Sequence, residues 1–87
     1  MTIREFRNLL ENNTELWLEG YDEQSDSASY LRINNLLLGC EAFATIRIIP
    51  SSVYVKENRI YIKTDMPFSV FVSWINYSLK NDFWKSV

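Results

Sequence analysis

Histidine is absent from this 87-residue chain, and cysteine occurs once, at Cys40. The first absence removes the commonest general base and the commonest metal ligand. A single cysteine cannot close an internal disulfide, which excludes a stapled secreted scaffold. Glycine is limited to Gly20 and Gly39 and proline to Pro50 and Pro67, too few for a glycine-rich phosphate cradle. Apolar runs such as Leu36–Leu38 and Val70–Val72 fall far short of the roughly 20 residues that span a bilayer. Glu5 places an acid where a secretory leader would carry its apolar run. Repeats, low-complexity tracts and Gly/Ser linkers are missing as well, so residues 1–87 read as a single domain. These absences predict a cytoplasmic protein with no membrane partner, metal or cofactor.

What is present is enough apolar surface to fold: 47% of residues are hydrophobic and 15% aromatic, unlike a disordered chain. The net charge of −2 argues against a nucleic-acid partner, since binding by phosphate neutralisation needs a basic face. Charge is nevertheless divided unevenly. Residues 1–31 hold seven acids (Glu5, Glu11, Glu15, Glu19, Asp22, Glu23, Asp26) and two bases, Arg4 and Arg7. Residues 32–87 hold four acids and seven bases. An acidic stretch of this kind is either a solvated loop or a surface that meets a basic cleft on a partner.

Thr2 and Glu5 have the spacing of a capping box, and Ile3, Phe6, Leu9 and Leu10 then line one face of a helix over about residues 3–12. Glu15–Glu19 alternates, with Leu16 and Leu18 opposite Glu15, Trp17 and Glu19, as in a half-buried strand ended by Gly20. Tyr21–Ser27 is a polar acidic loop, and Ala28–Asn34 alternates again before a turn at Asn34-Asn35. Leu36–Cys40 fits a short strand or a buried turn, and Ala42–Ile49 reads as a strand stopped by Pro50.

A two-residue turn at Glu57-Asn58 predicts a hairpin over Val53–Thr64. Its register sets Val55 against Ile60 and Val53 against Ile62 on one face, with Tyr54 against Tyr61 and Lys56 against Arg59 on the other. Residues 67–80 carry both periodicities. Asp65, Pro67 and the segment's length favour a helix that buries Phe68, Phe71, Val72, Ile75 and Leu79. The predicted fold is α+β: an N-terminal helix, a four- to five-stranded antiparallel sheet, and a C-terminal helix packed on one face.

Few groups suit chemistry. Asp22-x-Gln24-x-Asp26 begins like a calcium loop, but Ser27 and Ile33 occupy the positions that need glycine and a carboxylate. Ser51, Ser52 and Cys40 have no histidine to activate them, so no catalysis is expected. The aromatic residues remain. Trp17 sits between Glu15 and Glu19 on the polar side of its strand. Val70, Trp74, Tyr77 and Trp84 would form a second apolar stripe on the last helix. Either that stripe is covered, or Trp74, Tyr77 and Trp84 serve self-association into a homodimer or assembly. Tyr54 and Tyr61, flanked by Lys56, Arg59 and Lys63, have the composition of a base-stacking platform, although cross-strand tyrosines are common on half-exposed sheets.

The segments Ile3-Arg4-Glu5-Phe6-Arg7-Asn8-Leu9-Leu10-Glu11-Asn12-Asn13, Leu16-Trp17-Leu18-Glu19-Gly20-Tyr21-Asp22 and Tyr30-Leu31-Arg32-Ile33-Asn34-Asn35 resemble the opening of small acidic phage proteins. The family they resemble is the anti-CRISPR proteins that act on type II effectors, and the likeness covers residues 3–35 as an order of elements. It implies a short non-catalytic α+β inhibitor, in the cytoplasm of a bacterial host, that imitates DNA charge in the effector's PAM-reading cleft. Glu15, Glu19, Asp22, Glu23 and Asp26 match the acidic face, with Trp17 among them. The second half departs from such a mimic, with a basic hairpin and an aromatic helix in place of further acids.

Overall fold

A computed structural model describes the backbone of residues 1–86 and the side chains of residues 1–81. The chain opens with α1 (Ile3–Asn8), started by the expected capping box. The Thr2 amide donates to Glu5 Oε1 at 2.9 Å, and the Glu5 amide donates to Thr2 Oγ1 at 3.2 Å. The helix stops four residues before the predicted end. The Arg7 guanidinium donates to the carbonyls of Glu11, Asn12 and Thr14 at 3.1, 2.9 and 2.7 Å. Those carbonyls are held in a chain reversal and not in further helical turns, and Leu9 is left exposed.

Strands β1 (Glu15–Asp22), β2 (Ser27–Arg32), β3 (Tyr54–Lys56) and β4 (Arg59–Ile62) form one sheet in the order β2-β1-β4-β3. Gly20 does not end β1. It lies within the strand, buried beneath the Phe71 ring, where a Cβ would overlap that ring. β1 pairs antiparallel with β2, setting Leu18 opposite Leu31 and Glu19 opposite Tyr30. The β3–β4 hairpin has the predicted register residue for residue: Tyr54 with Tyr61, Val55 with Ile60, Lys56 with Arg59. Glu57 and Asn58 have φ of 54° and 64°, the left-handed pair that a tight hairpin turn requires.

The sheet is mixed, which corrects the expectation of antiparallel pairing throughout. β1 and β4 run parallel, with Leu16 beside Ile60, Trp17 beside Tyr61 and Leu18 beside Ile62. Parallel neighbours need a long crossover, and residues 33–58 supply it. They hold α2 (Asn35–Leu38), α3 (Glu41–Ala44), a 3-10 turn at Pro50–Ser52 and then β3. Asn34 is an N-cap, accepting the Leu37 amide on its Oδ1 at 3.0 Å. The strand predicted over Ala42–Ile49 is replaced by α3 and single bridges, Thr2 to Arg47 and Ile48 to Thr64. Adjacent Phe43 and Ala44 are both buried, a pattern that one turn of helix allows and an alternating strand does not.

α4 (Phe68–Ser86) settles the ambiguous segment as helix. Its inner line passes through Phe71 and Ser78, with Phe68, Trp74 and Ile75 packed beside the core. Leu79, expected in that line, is 63% exposed, because Ser78 takes the inward position at seven residues from Phe71. The core joins Leu16, Leu18, Leu31 and Ile62 from the sheet to Ile3, Leu37, Phe43 and Phe71 from the four helices. All the helices therefore lie on one side of the sheet, and the opposite side faces outward. No helix among the described residues is long and apolar enough to cross a membrane.

Candidate binding surface

Strand alternation sends every second residue to the outer side of the sheet. From β1 these are Glu15, Trp17, Glu19 and Tyr21; register adds Ala28, Tyr30 and Arg32 from β2, Arg59 and Tyr61 from β4, and Tyr54 and Lys56 from β3. Tyr61 is the hub. Tyr54 stacks on it at 4.9 Å between ring centroids and 11° between planes, and Tyr30 meets it edge-on at 5.4 Å and 74°. Trp17 lies 6.5 Å away on its other flank, with the Arg59 guanidinium 4.9 Å above the indole. Trp17 Nε1 is buried and has no hydrogen-bond partner among the described residues.

The carboxylates on this side are held by neighbours. Glu19, only 10% exposed, pairs with Lys63 Nζ at 3.0 Å and accepts the Tyr54 hydroxyl at 2.8 Å. Burial pushes its carboxyl up, but the hydrogen bonds from Lys63 and Tyr54 outweigh it and hold the pKa below the ordinary glutamate value. Burial and the bond to Glu19 together raise the Tyr54 hydroxyl far above its usual range, so it stays a donor. Glu15 lies 3.7 Å from both Arg32 and Arg59.

Asp22, Glu23 and Asp26 are elsewhere, at the end of the β1–β2 hairpin. Asp22 is seven residues from Glu15 in the same strand, roughly 23 Å at ~3.3 Å per residue. Its Oδ1 accepts the Gln24 amide at 3.0 Å and its Oδ2 the Ser25 hydroxyl at 2.9 Å. The Tyr21 hydroxyl donates to Asp26, a bond that raises the tyrosine's pKa, and Asp26 adopts φ 49°. None of the three acids forms an ion pair among the described residues. The six predicted partner-binding residues thus form two groups, Glu15, Trp17 and Glu19 on the outer side and Asp22, Glu23 and Asp26 at the tip.

Of the aromatic residues on α4, Trp74 leans inward, edge-on to Phe43 at 5.2 Å and to Tyr77 at 5.6 Å. Tyr77 and Val70 stay exposed, while the Trp84 side chain lies outside the described residues. The alternation of Ala28–Asn34 puts Tyr30 opposite Leu31 and Ile33 but does not place it beside Tyr61. The signal for that contact is the parallel β1–β4 register, which has no local trace in the sequence. The chain matches no protein-family model, no curated protein and no solved structure.

Proposed function

We propose that this protein is a non-catalytic binding module that presents the acidic end of its β1–β2 hairpin to a basic cleft of a protein partner. The observation that carries this reading is the difference between the two groups of acids. Glu15 and Glu19 have cations of their own chain beside them, whereas Asp22, Glu23 and Asp26 have none among the described residues. Carboxylates held in a short turn can replace phosphates against Arg and Lys, and the match speeds and orients association. The resemblance of residues 3–35 to phage anti-CRISPR proteins makes a type II effector in a bacterial cytoplasm the first partner to try.

The test is capture from bacterial lysate containing such effectors, by wild type and by a variant with Asp22→Lys, Glu23→Lys and Asp26→Lys. The variant leaves every ion pair of the sheet in place, and circular dichroism checks its fold. One partner held by wild type and released at least tenfold by the variant supports the reading. Equal capture by both sinks it.

A second reading, self-association through α4, is favoured by one observation. Val70 and Tyr77 lie seven residues apart on one side of the helix, 39% and 38% exposed, where two copies could pack them together. A mass in solution that rises with concentration and reverts on Tyr77→Ser supports it.

A further inference from the structure

The geometry points to the outer side of the sheet as a binding site for single-stranded nucleic acid. This goes beyond the acidic-tip reading and uses a different surface. In a chain of net charge −2, this one side carries four cations, Arg32, Lys56, Arg59 and Lys63, against two carboxylates, Glu15 and Glu19. Arg32 and Arg59 stand beside Glu15 and Lys63 pairs with Glu19, so the carboxylates cancel two of these charges and this side keeps a net charge of +2. Lys56 has no ion-pair partner among the described residues. Tyr30 and Tyr54, 46% and 37% exposed, stand on the two edge strands with Tyr61 between them. A path across the sheet from β2 to β3 therefore meets exposed rings at both ends and cations on either side. Aromatic platforms flanked by basic groups bind single strands because each base offers a π-face and each nucleotide a phosphate. A duplex hides its bases from such rings, so the site selects single strands.

The test is fluorescence anisotropy of fluorescein-labelled dT15 and U15, with a 15-base-pair duplex beside them, at 50 and 200 mM salt. The expected result is binding of the single strands in preference to the duplex. Affinity should fall with salt at a log–log slope of about −2 to −3, on the order of 0.7 per phosphate contacted. Tyr30→Ala and Tyr54→Ala should each weaken binding ~5- to 100-fold, the range measured for stacked bases. Tyr30→Phe and Tyr54→Phe keep the ring and should restore it, which separates stacking from the Tyr54–Glu19 hydrogen bond. Lys56→Glu should weaken binding and flatten the slope by about 0.7 or more.

No anisotropy change at 100 μM protein overturns the proposal. So does binding that the two alanine variants leave unchanged in folded protein, or equal affinity for the duplex. Sedimentation of the free protein covers the other occupant: a dimer that Tyr30→Ala dissociates and that oligonucleotide does not displace assigns this side to a second copy and overturns the proposal as well.

Discussion

Gly20 sits where two layers touch. The Phe71 ring occupies the space a side chain would need, and Phe71 is itself 1% exposed and has little room to move. Gly20→Ala should therefore destabilise by about 1–3 kcal/mol, the range for an overpacked core. That loss lowers the melting temperature by roughly 4–8 °C per kcal/mol in a domain of this size. An unchanged melting temperature would mean that the ring can shift freely. Glu19 supports a second prediction. Its carboxyl titrates below the ordinary 4.5 when folded, so its stabilisation is complete above that value and is lost as pH falls through the lowered one. Glu19→Gln should cost on the order of 1 kcal/mol at pH 7. Urea titrations should show the gap from wild type closing below pH 4.5 and staying constant above it. Neither residue's importance is legible in the sequence. Gly20 reads as the end of a strand, and Glu19 as one more member of an acidic run, because Phe71 and Lys63 reach them from distant segments.

The β3–β4 hairpin was readable because all its determinants lie within twelve residues. Four branched residues, two tyrosines and two cations alternate around a two-residue turn, and only one register pairs like with like. The turn itself is imperfect, since Glu57 holds φ 54° with a side chain that disfavours it. Glu57→Asn should relieve part of the roughly 1–2 kcal/mol cost of a left-handed residue. A rise in the urea midpoint at constant slope would show it, and a fall would mean that the Glu57 side chain stabilises the turn. The capping box of α1 was equally local, with partners three residues apart. α3 was not readable. Phe43 and Ile46 suit a strand by residue type, and only the packing of Phe43 beneath α4 and of α3 beside α1 makes a turn of helix the better solution.

For the molecule as a whole, the decisive contact is the pairing of β1 with β4. It unites an acidic N-terminal half with a basic C-terminal half, so that Arg59 and Lys63 meet Glu15 and Glu19 across it. It also puts β1 and β4 in the middle of the sheet, with β2 and β3 as edges. Amide exchange should be slowest at Leu16, Leu18 and Ile62, whose strands have neighbours on both sides, and faster throughout Ser27–Arg32 and Tyr54–Lys56. Uniform protection across the four strands would contradict that order. A composition of acids first and bases later hints at an attraction between the halves. The direction of the pairing comes from how much chain the crossover helices consume, and local patterns do not encode that.

The parallel pair also has a consequence during synthesis. β4 follows β1 by about 40 residues, so at the usual 5–20 residues per second the ribosome delivers it roughly 2–8 s later. Through that interval one edge of β1 has no neighbour, and such edges recruit strands from other nascent chains. Glu15 and Glu19 sit along the strand then without Arg59 and Lys63. Two copies approaching side by side would bring like charges together and separate again. The same carboxylates that hold the finished sheet together thus keep the unfinished one from joining its neighbours.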